Sequence, residues 1–144
     1  MQKLIITVLS LLFVGCNVTN DSSNSSINLD STQRSYVLGN SVTIVLQNNS
    51  NQSIIYGAAF TVEQKIQGKW KNIGPSVTFV TKGYALQSGS ETQQQFALTD
   101  SSDLFPNHSF SEGQYRVTKD VEIQGENHTL KSHTFDVYAV ELYN

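Results

Sequence analysis

Alternating apolar and polar residues recur along most of this chain, and beyond its first residues no stretch keeps a helical period for three turns. Val42, Ile44 and Leu46 alternate with Thr43, Val45 and Gln47, and Phe60, Val62 and Ile66 with Thr61, Glu63 and Lys65. Tyr115, Val117, Val121 and Ile123 alternate with Arg116, Thr118, Asp120 and Glu122, and Phe135, Val137 and Ala139 with Asp136 and Tyr138. Successive side chains of a strand point to opposite faces, so this period of two predicts sheets with one buried face. Further strands are expected at 35–38, 69–73, 77–80, 84–86 and 93–99. Turn residues punctuate these runs at Gly39-Asn40, Asn48–Ser53, Gln67-Gly68, Gly74-Pro75 and Gln124–Asn127. Seven or more short strands at such intervals predict an all-β antiparallel sandwich of Greek-key type, with seven to nine strands. An up-and-down barrel, which needs more uniform strands, is the second choice.

One local pattern narrows the fold. In Phe110-Ser-Glu-Gly113-Gln-Tyr115-Arg116 a tyrosine opens a strongly alternating strand just after a glycine. A tyrosine so placed pins a sheet-to-sheet crossover by bonding backbone a few residues upstream, and Gly113 supplies the backbone conformation for it. The chain resembles the bacterial immunoglobulin-like domains of small Gram-positive lipoproteins and surface proteins. The resemblance is carried by the Asn-Asn-Ser-Asn turn at 48–51, Tyr56-Gly57 with Phe60-Thr-Val-Glu63, Gly68-Lys-Trp70, and Gly113-Gln-Tyr115-Arg116-Val117 with Lys119. It covers roughly residues 36 to 142, and Asn107–Glu112 stands as an insertion between Leu104-Phe105-Pro106 and the Gly113 strand. It implies an immunoglobulin-like fold and no catalytic motif.

The amino terminus carries an address. Lys3, the apolar run Leu4–Val14 and Gly15-Cys16 follow the order of a secretory signal, and the run is too short to span a bilayer. A lone cysteine directly after the cleavage point looks like a bacterial lipoprotein signal, which implies a diacylglycerol on the Cys16 thiol and a bilayer as its partner. An ordinary signal with an incidental cysteine is the rival reading. The expected organisation is a signal peptide at 1–15, a lipidated Cys16 opening an Asn- and Ser-rich tether at 16–33, and the sandwich at 34–144. The polar stretch Asn17–Ser26 cannot bury enough apolar surface to offset the entropy of ordering.

Charge and chemistry exclude more than they identify. Without Lys3 the exported part has eight Lys or Arg against twelve Asp or Glu, a net charge near −4. That argues against nucleic acid, which calls for a basic patch. Catalytic and metal sites are expected to be none, and cofactors none. His108, His128 and His133 are the only histidines; the last two flank one hairpin, but zinc wants three or four ligands. Asp100-Ser-Ser-Asp103 is too sparse for a calcium loop, and no nucleophile elbow or glycine-rich phosphate cradle occurs.

Trp70, between Lys69 and Lys71, is expected to point into the core while the lysines point out. Lys119 falls on the buried face with Val117 and Val121, and a strand end or bulge is expected to let its amine reach water. Tyr84, Tyr138 and Tyr143 are expected on outward faces. The resulting expectation is a membrane-anchored, extracytoplasmic, non-catalytic binding module for an unidentified protein or glycan. An exported inhibitor or assembly partner is the alternative.

Overall fold

The long alternation that begins at Gly113 forms a single strand of eleven residues, and the larger sheet is assembled around it. The computed structural model describes residues 26–100 and 102–140, which hold strands and no helix. In chain order these are β1 (Ile27–Ser31), β2 (Ser35–Val37), β3 (Ser41–Asn48), β4 (Ile54–Tyr56), β5 (Thr61–Ile66) and β6 (Lys69–Gly74). They continue with β7 (Tyr84–Leu86), β8 (Ser90–Ala97), β9 (Gly113–Ile123), β10 (Glu126–Lys131) and β11 (Phe135–Tyr138).

Both neighbours of β9 are broken in mid-course. On one side β5 pairs its first half, from Gln64↔Tyr115 to Thr61↔Thr118, and β4 pairs its second half at Tyr56↔Val121 and Ile55↔Glu122. On the other side β11 pairs Phe135 with Tyr115, and β10 pairs residues Thr118 to Ile123. β6, β7 and β2 extend this sheet outward, β2 running parallel to β11. The smaller sheet has the order β1-β3-β8, antiparallel throughout, with β3 and β8 in register from Ser41↔Ala97 to Asn48↔Ser90. This is an all-β, immunoglobulin-like sandwich.

The alternating residues fill the space between the sheets. Val42, Ile44, Leu46 and Phe96 face Ile54, Val62, Tyr115, Val117, Val121 and Phe135, all buried. Through them runs an unbroken chain of rings: Tyr36, Phe135, Tyr115, Phe110, Phe105, Phe96, Phe60 and Phe79, with successive centroids 5.0 to 6.1 Å apart. Offset and edge-on contacts of this kind add stability beyond area burial. Phe105 and Phe110 come from the irregular segment between β8 and β9, on either side of the insertion's first residues. Gly74 lies under Phe105, where a Cβ would come within 3.0 Å of the ring.

Two expectations about the elements are corrected. The segment expected to be tether up to residue 33 contains β1, paired with β3 from Ile27↔Asn48 to Ser31↔Ile44, so the sandwich begins at Ile27 and not at residue 34. Leu29 is buried in the core, which the polar context around it concealed. The expected strand at 77–80 is irregular, and Val80 is 70% exposed. An alternating stretch becomes a strand only beside a free edge; here Phe79 packs on Phe60 at 5.7 Å instead.

Candidate functional site

Tyr115 lies at the start of β9, fully buried, and its hydroxyl donates to the Ser111 carbonyl oxygen at 2.7 Å. The Ser111 N–H donates back to the same hydroxyl at 3.2 Å. Gly113, between them, has φ +144°, a conformation L side chains rarely adopt. Tyr115→Phe removes both bonds and is expected to lower unfolding free energy by about 1 kcal/mol, read from the urea midpoint. No change in midpoint would mean that the hydroxyl does not hold this crossover.

Trp70 corrects the sequence reading. It pairs directly with Lys65, while Lys71 pairs with Gln64. Since Gln64 is buried and Lys65 exposed, the tryptophan takes the outer face and its flanking lysines the inner side. β6 is an edge strand joined only to β5, and both lysines remain exposed. The indole is half-buried under the Arg116 guanidinium, 4.3 Å from the ring centroid, with the Lys65 ammonium at 5.9 Å. Arg116 Nε also donates to Glu63 Oε2 at 2.5 Å. Trp70 is therefore a surface brace across β6, β5 and β9, not a core residue.

Lys119 differs from expectation in the opposite sense. Its side chain stays on the buried face and is only 2% exposed. The ammonium donates to Gly57 O at 2.6 Å, Ala59 O at 2.8 Å and Gln94 Oε1 at 2.7 Å, so each of its three protons has an acceptor. No bulge carries the amine to water; instead the break between β4 and β5 in the neighbouring course of the sheet presents the Gly57 and Ala59 carbonyls to it. Burial pushes the Lys119 pKa down to about 8, against the nearby Asp120 carboxylate, which favours the charged form. Gln94 completes the link by donating Nε2 to Ala58 O at 2.7 Å. This cluster ties both sheets together, with the lysine buried and its acceptors only partly so.

The histidines are not brought into one site. His133 Nδ1 bonds Asp30 Oδ2 at 2.9 Å, and Arg34 holds both oxygens of the same carboxylate. These partners draw the Asp30 pKa down, although its partial burial opposes them. His108 packs edge-on against Phe110 at 5.0 Å, and burial lowers its pKa. His128 lies on β10, exposed. Among the described residues no cluster of three or more His, Cys, Asp or Glu could hold a metal. Tyr84 and Tyr138 are 39% and 52% exposed. Cys16 and Tyr143 lie outside the described residues.

Of the concavities on the surface, two combine residues from several loops most extensively. The larger, about 740 Å³, lies at one end of the sandwich between the loop Asn49–Gln52, Gln124, Glu126 and His128, beside Ile27. The buried Asn48 shapes that loop: its Oδ1 accepts from Ser50 N and Oγ, and its Nδ2 donates to Gln52 O and Leu86 O. Gln124 Nε2 donates across the cleft wall to Gln52 Oε1 at 2.8 Å. Neutral amides and hydroxyls dominate, with one carboxylate and no Lys or Arg. Such a wall can hydrogen-bond a neutral ligand; its one carboxylate and one imidazole, Glu126 and His128, are both exposed on β10 and make no hydrogen bond to each other. The smaller groove, about 250 Å³, is apolar, formed by Ile55, Phe79, Val80 and Val121 with Lys82 and Glu122 at its rim. Sequence reasoning missed both, because each joins loops distant along the chain.

A sandwich of this architecture, with a tyrosine corner and no catalytic constellation among its described residues, defines an immunoglobulin-like module. The chain matches the bacterial Ig-like domain family over residues 23–136, and it belongs to that family. Domains of this family are generally non-catalytic, and the fold is consistent with a binding module. No curated protein sequence matches it. Among solved structures, the Northeast Structural Genomics Consortium target SoR45 superposes with a TM-score of 0.52 at 15% identity, over 83% of this chain and 94% of that one. The PapD-like domain 7 of human CEP192 gives 0.42 at 13% identity, over 93% and 100%. A Pseudomonas fluorescens alkylpurine DNA glycosylase, AlkC, gives 0.41 at 14% identity, over 78% of this chain but only 30% of the enzyme. The first likeness is one of fold alone, and the other two support no conclusion about this chain.

Proposed function

We propose that this protein is an extracytoplasmic lipoprotein, anchored in the cell membrane by acylated Cys16, whose immunoglobulin-like domain is a non-catalytic binding module for a protein or glycan. The observation that carries the binding role is the end cleft, a wall dominated by neutral amides and hydroxyls whose loop is fixed by the buried Asn48. The anchor rests on the order of Lys3, the apolar run and Gly15-Cys16. Several acyl chains on one cysteine hold firmly where one would not. The sandwich starts at Ile27, so the Asn- and Ser-rich segment between them is the spacer.

Cys16→Ser is expected to move the protein from the membrane fraction to the medium without changing the melting temperature of its domain. Membrane retention of the variant sinks the anchor. A diacylglyceryl mass on the Cys16 peptide is the matching positive result.

A second reading, an exported inhibitor or assembly partner, is favoured by the irregular segment at 76–83, where Val80 projects with 70% of its surface open. Protease protection assays with Val80→Asp separate the two. Loss of partner capture on that substitution supports the second reading, and loss on Gln52→Ala or Gln124→Ala supports the first.

A further inference from the structure

Unpaired strand edges invite association, and proteins ordinarily guard them with charges, prolines, bulges or short length. Most edges of this sandwich are guarded. β6 carries Lys69 and Lys71, β10 carries Glu126 and Lys131, β1 carries the ion-paired Asp30, and β2 and β7 are three residues long. β8 is the least guarded, with one charge in eight residues, Glu91 near its start. It runs eight residues as Ser-Glu-Thr-Gln-Gln-Gln-Phe-Ala, without Lys, Arg or Pro. It pairs with β3 one-to-one with no bulge, and among the described residues no strand pairs its outer edge.

We propose that β8 is a homotypic docking edge, through which two copies of this chain pair antiparallel and join their smaller sheets into one. Identical strands related by a two-fold axis match each other's backbone donors and acceptors automatically. Centred on Gln94, the pairing sets Gln93 of one copy opposite Gln95 of the other. Glu91, the single charge, meets Ala97, so like charges do not oppose one another. The edge is also held straight before it meets a partner. Gln94 is fixed from below by Lys119 and Ala58. On the outer face Gln95 bonds Thr43 Oγ1 at 2.9 Å and Gln47 bonds Glu91 at 3.2 Å. A preorganised edge loses little entropy on docking, which is what lets backbone bonds alone give measurable affinity. The pairing does not depend on the anchor or on either concavity.

Sedimentation equilibrium tests it on the full chain carrying Cys16→Ser, which removes thiol-linked dimers, in a non-ionic detergent. A reversible dimer is expected with a dissociation constant of about 10–500 μM. Adding Gln93→Lys and Gln95→Lys, which places cations opposite each other across the axis, is expected to weaken it about tenfold or more. Asn28→Lys, a cation added on the far strand of the same sheet, is expected to leave it unchanged. Hydrogen exchange on the otherwise unaltered chain provides a readout that needs no edge variant: β8 amides gain protection as concentration rises, and β10 amides do not. A monomer up to about 1 mM, a dimer indifferent to the paired lysines, or equal weakening by Asn28→Lys overturns the proposal.

Discussion

Lys119→Met is expected to destabilise the domain by about 3 kcal/mol, read as a lowered denaturant midpoint at neutral pH with unchanged slope. The methionine fills most of the volume and removes the cost of burying an ammonium. It also abandons three partly buried acceptors, the carbonyls of Gly57 and Ala59 and the amide oxygen of Gln94. Each buried acceptor left unsatisfied costs about 1–3 kcal/mol, so the loss outweighs the relief. A variant as stable as the parent would show that the break between β4 and β5 closes on itself without the lysine.

The same residue gives a pH dependence with a definite sign. Burial holds the folded pKa at about 8, below the ordinary 10.5, so between those values the unfolded chain binds more protons than the folded one. Stability therefore rises with pH through that window, and the contribution is lost below pH 8, where both states are charged. Relative to Lys119→Met, the parent is expected to gain roughly 2 kcal/mol between pH 7 and pH 10. A gap independent of pH would contradict the burial of a charged amine here.

Phe105→Ala is expected to cost more, about 4 kcal/mol, because it removes a ring from the middle of the aromatic chain. Phe105 is 1% exposed, edge-on to Phe110 at 5.0 Å and tilted against Phe96 at 5.7 Å. It belongs to no strand named above, so no backbone ladder fixes its segment. With Leu98 and Phe110, the ring holds the irregular stretch between β8 and β9 against the core. Thermal unfolding is the measurement. A loss under about 1 kcal/mol would mean that Phe79 or Leu104 refills the space.

Several elements could be read directly from the residues because their causes are local. Period-two alternation identified β3, β5, β9 and β11, and Gly113 before Tyr115 marked the tight entry to β9. β1 was hidden because five residues among Asn and Ser carry little periodic signal, and only its pairing with β3 reveals it as a strand. Alternation also places two residues on opposite faces without saying which face is inside. Trp70 between two lysines has the same pattern either way, and its outward placement follows from the pairing of Trp70 with Lys65 across to β5.

What the sequence by itself determined was the class of architecture, the residues sharing one face of β3, β5, β9 and β11, and the position of the one cysteine behind an apolar run. These follow from chain geometry and composition at short range. Tertiary structure alone decided that Lys119 would be buried, since its three acceptors come from residues 25 to 62 positions away. It likewise decided where the clefts lie and which edge stays open. Those properties depend on what distant segments place beside a residue, and burial, hydrogen-bond satisfaction and edge pairing are set by such neighbours rather than by the residue's own preference.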